Sequence, residues 1–293
     1  MTQMRNVNAV VRHFFILYLC VMMICKTKNI LLIAVSVLLI SGCSKFSKIQ
    51  KSTDMEAKYN AAVEYYEKKK YFQALQLFEE LITVFRGTGK AEDTYFYYSE
   101  CYFQTGEYTV AAYHYNNFYQ TFPSSPKAEE ALFKNAFCYY LDSPPSTLDQ
   151  KNTLDAIRQF QLFINRFPKS DKVQQCNQLI DELRFKLETK DFNNARLYMR
   201  RGNNKAAMVA FQNLIKDYPA TTYKEESMFY ILKSSFDFAG QSIESKKLER
   251  YQAAMENYLK LVDTFPESRF LKEAEKIYND SRQKLKKAGS LAI

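Results

Sequence analysis

The chain of 293 residues is long enough for one large or two medium domains, and its 47% hydrophobic residues can supply a core. Its net charge of +9 is uneven, since residues 1–43 carry four basic residues and no acidic one, and the lack of a dense Lys/Arg block or zinc-finger spacing argues against a nucleic-acid partner. Only seven glycines and seven prolines occur, and period-two alternation is not evident, so the composition predicts an all-α protein.

The first predicted element is a secretory signal in residues 1–42. A positively charged stretch precedes an apolar run of about 11 residues, which is too short to span a bilayer. The run ends in a pattern that resembles the bacterial lipobox: Leu39, Ile40, Ser41, Gly42 and Cys43. That resemblance implies cleavage before Cys43, S-diacylglycerol on its sulfur and an acyl group on its new amino group. The alternative is an ordinary signal or anchor helix with a chance cysteine.

The residues around this signal bear on location and start. Asp after the lipidated cysteine commonly marks inner-membrane retention, and Ser44 departs from that pattern. The resemblance therefore implies a lipid anchor in the outer membrane, with the body in the periplasm. A second apolar run, residues 14–25, makes the signal unusually long, so we expect translation to begin at Met22 or Met23. Residues 43–53 are predicted to be a lipidated linker.

Internal repeats occupy the rest of the chain. Five stretches share a small residue followed, at intervals of four, three and four, by an aromatic, an apolar and an aromatic residue. These spacings place all four on one helical face. The small residue lets a neighbouring helix approach, and the aromatics fill the space between pairs. The anchors are Ala74, Phe78, Leu81, Phe85; Ala111, Tyr115, Phe118, Phe122; Ala156, Phe160, Phe163, Phe167; Ala207, Phe211, Leu214, Tyr218; and Ala254, Tyr258, Leu261, Phe265.

A partner helix is predicted before each stretch. A small residue and a tyrosine precede the alanine anchor by 12 and 9 residues in copies one, two and four, a spacing that matches the tetratricopeptide motif. Tandem copies predict an α-solenoid of about five helix pairs, and residues 269–287 form a polar-faced helix that would cap it. The motif pairs are Ala62 and Tyr65, Ser99 and Tyr102, and Ala195 and Tyr198.

Breaks between the helices are also visible. Proline follows the last anchor in four copies and disfavours helix in the residue before it. Three of these turns place a serine two residues on, which we expect to cap the next helix: Ser125, Ser170 and Ser268. Extra residues near 143–146 predict a loop, and those near 240–247 predict either a loop or a helix extension.

The repeats suggest a grouping along the chain. We expect residues 54–168 to hold the three N-terminal repeats and residues 169–287 to hold two C-terminal repeats with the capping helix. Residues 288–293 would form a tail.

Reactive groups are sparse in the mature chain. Its one histidine, His114, has no sequence partner for a triad or a metal site, and we expect it on the surface or in a groove. Cys101, Cys138 and Cys176 are expected to be small buried hydrophobes. Adjacent glutamates on a helix point about 100° apart and make poor acid–base pairs. We therefore expect no enzyme activity, no catalytic residue, no metal and no cofactor apart from the lipid on Cys43.

Taken together, the lipobox, the five repeats and the Phe-Pro-x-Ser turns resemble the BamD family, lipoprotein subunits of the outer-membrane β-barrel assembly machinery. The match spans most of residues 54–287 and is strongest over residues 182–211, where a long helix ends at Arg201-Gly202. The resemblance implies a scaffold that binds the BamA-type barrel subunit and other assembly components. It also implies binding of unfolded outer-membrane proteins and promotion of their folding and insertion.

Two candidate binding surfaces follow. Projecting the motif onto the first three repeats suggests an aromatic peptide groove, with packing between repeats as the alternative for the same side chains. The fourth and fifth repeats, including a basic cluster, are the candidate interface with the barrel subunit, with a solvated helix end as the alternative for that cluster. The groove residues are Tyr59, Tyr66, Phe96, Phe103, Phe133 and Tyr140, and the interface residues are Arg196, Arg200 and Arg201.

A second function class stays open at this point, namely a general periplasmic tetratricopeptide scaffold for peptidoglycan or cell-division partners. Such proteins often include a coiled-coil segment, which is not evident here. An enzyme with an appended repeat domain is excluded because residues 44–293 leave no room for it.

Overall fold

The computed structural model describes residues 45–290, with side chains to residue 287. Within that range a short helical segment at residues 45–50 precedes eleven α-helices, and no strand is present. The predicted all-α class of tetratricopeptide-like helix pairs is confirmed. The helices are α1 (Met55–Glu67), α2 (Tyr71–Val84), α3 (Ala91–Gln104), α4 (Tyr108–Thr121), α5 (Ala128–Leu141), α6 (Lys151–Arg166), α7 (Val173–Arg200), α8 (Asn204–Asp217), α9 (Lys224–Gly240), α10 (Glu244–Thr264) and α11 (Leu271–Ser290).

Two compact units make up the described chain, and the division falls after Glu107. The grouping expected at residue 168 does not coincide with this division. Residue 168 lies inside the second unit, where Phe160 and Phe163 of α6 share a core with Leu183 of α7. A proline can end one helix without interrupting the packing between that helix and the next.

The first unit contains α1, α2 and α3. Helix α1 begins after Asp54, whose side chain accepts a hydrogen bond from the backbone N–H of Ala57 at 3.0 Å. The anchors Ala74, Phe78 and Leu81 of α2 are fully buried in one cluster with Ala62 of α1. The repeat motif therefore identifies the core of this unit.

The second unit contains α4 to α11 and buries the same positions of the motif. Tyr258 is the exception among the first three anchors of each copy here, since it is half-buried. Helix α11 covers the last pair as predicted: Ala274 and Ile277 join Leu261 in one buried cluster. The other buried anchors are Ala111, Tyr115, Phe118, Ala156, Phe160, Phe163, Ala207, Phe211, Leu214 and Ala254.

A hydrogen-bonded turn recurs before α5, α7 and α11. In each turn a serine Oγ accepts a hydrogen bond, 3.1 Å long, from the backbone N–H two residues later. The prediction that these serines cap the next helix was wrong, because each lies three residues before the first helical residue. The cap positions of α5 and α7 are Lys127 and Lys172, without a side-chain cap bond. The serines are Ser125, Ser170 and Ser268.

Two of these serines also connect successive helix pairs. Ser170 Oγ donates to Glu129 Oε1 at 2.6 Å, and Ser268 Oγ donates to Glu225 Oε1 at 2.6 Å. Glu129 and Glu225 are each the second residue of their helix, α5 and α9. Glu129 therefore holds the turn before α7, and Glu225 holds the turn before α11, each one helix pair later in the chain.

The two insertions differ in structure. Residues 142–150 form the predicted loop, in which Gln150 Nε2 donates to the carbonyls of Pro145 and Leu148 at 2.9 and 3.0 Å. The second insertion is mostly helix, since α10 begins at Glu244 and runs for 21 residues. No helix within residues 45–290 combines the length and apolarity needed to cross a membrane.

Candidate binding surfaces

The predicted lipid site Cys43 and the lipobox residues 39–42 lie outside the described residues. The described chain begins at Lys45, inside the segment expected to be a linker. There Phe46 packs edge-on against Tyr65 of α1, with ring centroids 5.5 Å apart, and Ile49 joins the same core. Part of the expected linker is therefore attached to the first helix pair.

The first two groove candidates pack within unit 1. Tyr59 lies edge-on to Phe85 with ring centroids 5.8 Å apart, and Lys90 Nζ lies 4.7 Å from its ring centroid. Tyr66 donates a hydrogen bond to Glu100 Oε2 at 3.1 Å. Burial raises the pKa of both phenols, so both stay neutral over the physiological range.

Helix α3 holds the next two candidates at different depths. Phe96 is buried, with 8% of its surface exposed, and Phe103 is half-buried. A truncation at Phe96 therefore removes core packing, whereas a truncation at Phe103 also removes exposed aromatic surface.

The last two candidates belong to a row of rings on α5. Phe133 and Phe137 stack with centroids 5.8 Å apart, and Phe137 stacks on Tyr140 at 5.6 Å. Tyr140 donates a hydrogen bond to Glu182 Oε2 of α7 at 2.8 Å, and this bond is the main cause of its raised pKa. All six candidates are buried or half-buried, so packing explains much of their aromatic surface. Peptide binding by their exposed edges stays a prediction.

The three arginines lie near the end of α7. Arg196 is half-buried, and its guanidinium lies 5.6 Å from the ring centroid of Phe192. Arg200 is the last residue of the helix and Arg201 is its C-cap, and both are exposed. A cation at this end also interacts favourably with the helix dipole. Arg200 and Arg201 therefore present positive charge to solvent, whereas Arg196 also contributes to packing.

An open concavity of ≈ 480 Å³ adjoins this helix end, and the repeat motif does not predict it. Its apolar part includes Tyr198 and Val209, which are 44% and 48% exposed. Tyr198 holds the motif position of a packing tyrosine, so periodicity alone assigns it to the interior. Val209 could have indicated this surface from the sequence, since it is an apolar residue of α8 outside the anchor set. The full lining is Tyr198, Asn203, Lys205, Ala206, Val209, Ala210 and Asn213.

The histidine and the three cysteines of the described chain are half-buried or buried. Burial lowers the pKa of the half-buried His114 and raises the pKa of Cys101 to about 12 and of Cys176 to about 11. Cys138 is buried as well, as expected for small apolar residues. Among residues 45–287 no cluster of three or more His, Cys, Asp or Glu side chains could hold a metal ion.

A family model and the similar curated proteins agree on one family. A family model described as YfiO, outer membrane lipoprotein, matches residues 51–239. The outer membrane protein assembly factor BamD of Neisseria meningitidis serogroup B is 26% identical over 262 residues, covering 84% of this chain and 94% of the relative. The factor of the same name from Rickettsia prowazekii is 25% identical and covers 75% and 88%. Among solved structures, the TPR2AB domain of yeast Sti1 in complex with pHSP90 overlaps 78% of this chain and 98% of that chain, at 11% identity and a TM-score of 0.36.

Proposed function

Because the chain belongs to the YfiO family of outer membrane lipoproteins, we propose that it is a non-enzymatic assembly factor for outer-membrane proteins. In this proposal a lipid on Cys43 holds the chain in the outer membrane, and the helix pairs stand in the periplasm. The observation that carries it is the similarity to the Neisseria assembly factor over 84% of this chain and 94% of that relative.

We place the contact with a BamA-type barrel subunit on the fourth repeat. Arg200 and Arg201 supply exposed positive charge, and the adjoining concavity supplies apolar surface at Tyr198 and Val209. An apolar centre with a charged rim is the usual composition of a protein interface. The charges would orient an acidic loop of the partner, and the concavity would provide most of the affinity.

Affinity purification from solubilised outer membrane tests this placement. The double variant Arg200→Glu, Arg201→Glu and the single variant Val209→Glu should each reduce recovery of the barrel subunit at least about tenfold, since each places a charge against the partner. The double variant Lys284→Glu, Lys286→Glu on α11 is the matched control for charge and should leave recovery unchanged. Undiminished recovery with both repeat-four variants would contradict the interface. Recovery of peptidoglycan or cell-division partners without any barrel subunit would contradict the function itself.

For the substrate, we propose that exposed edges of the aromatic set bind extended, amphipathic segments of unfolded outer-membrane proteins. Phe103 is the best position to test because it is only half-buried. Phe103→Ala should lower crosslinking to a peptide that ends in an aromatic residue several-fold, with helical circular dichroism unchanged. The control is Phe185→Ala, which removes a 49% exposed ring outside the set. Equal crosslinking by both variants, or loss of helicity in Phe103→Ala, would indicate that the ring serves only packing.

A further inference from the structure

Two distant parts of the first unit meet at the Tyr65 ring. Phe46, close to the start of the described chain, packs edge-on against it. Lys70, which follows the α1–α2 turn, has its Nζ 6.0 Å from the centroid of the same ring. The chain that leads back to Cys43 therefore runs beside the turn between α1 and α2. Only Ser44 separates Cys43 from Lys45 in the sequence, and two residue steps of fully extended chain span at most about 7 Å.

This end of the unit is basic. Four lysine side chains are exposed here: Lys45, Lys68, Lys69 and Lys70. Two acidic residues, Glu64 and Glu67, lie nearby in the last turn of α1. Glu64 accepts a hydrogen bond from Lys68, and its pKa is lowered by that bond first and then by the charges of Lys68, Lys45 and Lys70. Lys68 thus contacts the Glu64 carboxylate, and the charges of Lys45 and Lys70 act on the same group. The four lysines leave a positive excess over the two glutamates.

The backbone of the turn is unusual at Lys69. Its φ of 57° is in the left-handed region, where a side chain is disfavoured, and it is the one non-glycine residue of the described chain with positive φ. The N–H of Lys70 closes the helix end onto the carbonyl of Tyr65 at 2.8 Å. After α3 and α7 the corresponding residues are Gly106 and Gly202, with φ of 82° and 72°. The first repeat thus has a lysine where the fold favours glycine.

An exposed aromatic residue follows these lysines in the chain. Phe72, two residues after Lys70 in the first turn of α2, leaves 69% of its side chain exposed. Phe72 is not one of the motif anchors, and no core position accounts for it. Aromatic rings beside lysines are typical of the membrane–water interface, where the ring enters the headgroup region and the ammonium groups meet phosphates.

We propose that the surface formed by Lys45, Lys68, Lys69, Lys70 and Phe72, here called the lysine face, rests against anionic phospholipid headgroups of the membrane in which the chain is anchored. This rests on the lipid on Cys43 in the proposed function. The anchor brings the lysine face to the bilayer, and the lysines then select its orientation. Each lysine near an anionic surface strengthens docking on the order of fivefold, and salt weakens the attraction.

The test uses the mature lipidated protein in vesicles. An environment-sensitive dye on Phe72→Cys reports the surroundings of the lysine face, since Cys43 is acylated and Cys101, Cys138 and Cys176 are buried. In vesicles containing phosphatidylglycerol we expect a blue-shifted emission that headgroup-labelled lipid quenches and that high salt reverses. In pure phosphatidylcholine vesicles the dye should stay in water.

Charge variants test whether docking depends on the lysine face or only on the net charge of the protein. Lys68→Glu, Lys69→Glu, Lys70→Glu should weaken docking roughly 100-fold or more. The matched triple variant Lys276→Glu, Lys284→Glu, Lys286→Glu on α11 should dock like the wild type. Lys69→Gly, which relaxes the backbone while removing one charge, should weaken docking about fivefold in a protein at least as stable as wild type.

The outcomes are distinguishable. A protein that floats with anionic vesicles while its dye stays in water would overturn the lysine face and leave the anchor intact. Equal loss of docking in the two triple variants would also overturn it. A protein that does not float at all would contradict the lipid anchor of the proposed function, and with it the premise of this surface.

Discussion

Lys58 shows how a single charged residue is accommodated inside the first unit. Its side chain is 2% exposed and its Nζ lies 2.8 Å from Glu80 Oε2, whose side chain is 46% exposed. The ion pair therefore connects the interior of α1 to the surface of α2. A buried ammonium is tolerable only while its counter-charge is in place.

The two members of this pair should respond differently to neutralisation. Glu80→Gln should lower the free energy of unfolding by about 1–3 kcal/mol, because it leaves Lys58 buried without a counter-charge. Lys58→Met should cost less, since no buried charge remains. Urea denaturation of both variants measures the difference. A larger loss in Lys58→Met than in Glu80→Gln would contradict this account.

Individual residues also show where the sequence was sufficient to predict burial. The anchors Phe78, Phe160 and Phe211 were predicted as core from spacing alone, and all are fully buried. Periodicity specifies which face of a helix a residue lies on, so it predicts burial correctly wherever one face packs against the core. It could not predict the hydrogen bond from Tyr140 to Glu182, because that contact joins two helices with a long loop and a third helix between them.

At the scale of elements, two of the three serine hydroxyls, those of Ser170 and Ser268, each make two hydrogen bonds. Ser268 Oγ accepts from the N–H of Phe270 and donates to Glu225, so the turn is attached to α9 as well as to α11. Ser125 makes the same turn bond with Lys127. Ser125 and Ser268 therefore share the bond within the turn, and Ser268 has in addition the bond to the preceding helix pair.

We expect Ser268→Ala to cost about 1–2 kcal/mol more than Ser125→Ala, because a hydrogen bond to a carboxylate is stronger than one to a neutral group. Thermal unfolding of the two variants gives the comparison. Glu225→Gln keeps an acceptor and should lie between wild type and Ser268→Ala. Equal losses for the two serine variants would mean that the carboxylate contributes nothing to the turn.

Helix boundaries were predicted well where a proline marks them and poorly where the turn geometry decides. Helices α4, α6, α8 and α10 each end just before the aromatic residue that precedes proline. The serines were placed correctly in turns but given the wrong role, since each lies two residues before the position that caps the helix. The second insertion became part of α10 because residues 244–250 lack a helix breaker.

On the scale of the whole molecule, stability should be local. In repeat proteins each pair contacts mainly its neighbours, so a core change weakens its own surroundings first. Leu81→Ala in unit 1 and Leu261→Ala in unit 2 each empty a fully buried site and should cost about 2–5 kcal/mol.

Hydrogen exchange should therefore show two separate patterns. Leu81→Ala should reduce amide protection in α1 to α3, and Leu261→Ala should reduce it in α9 to α11, each leaving the other region near wild type. A uniform loss of protection along the chain in both variants would contradict local stability and indicate one cooperative unit.

The sequence predicted the repeat architecture of the molecule but not its binding surfaces. The tandem copies specify helix pairs because their signal is local and repeated five times. The concavity beside Tyr198 and the packing of Phe46 on Tyr65 depend on contacts between separate elements, and no periodicity encodes them. Val209 and Phe72 are the sequence signals of these surfaces, since each is an apolar residue at a position that the repeat motif does not require.

The packed segment at residues 45–50 also determines how mechanical load would reach the protein. A pull between the membrane and the body would extend only the residues before Phe46 and would then act on its contact with Tyr65. Little free chain is available to absorb such a pull. The first helix pair would therefore bear tension directly, and the proposed anchor would transmit movements of the bilayer to α1.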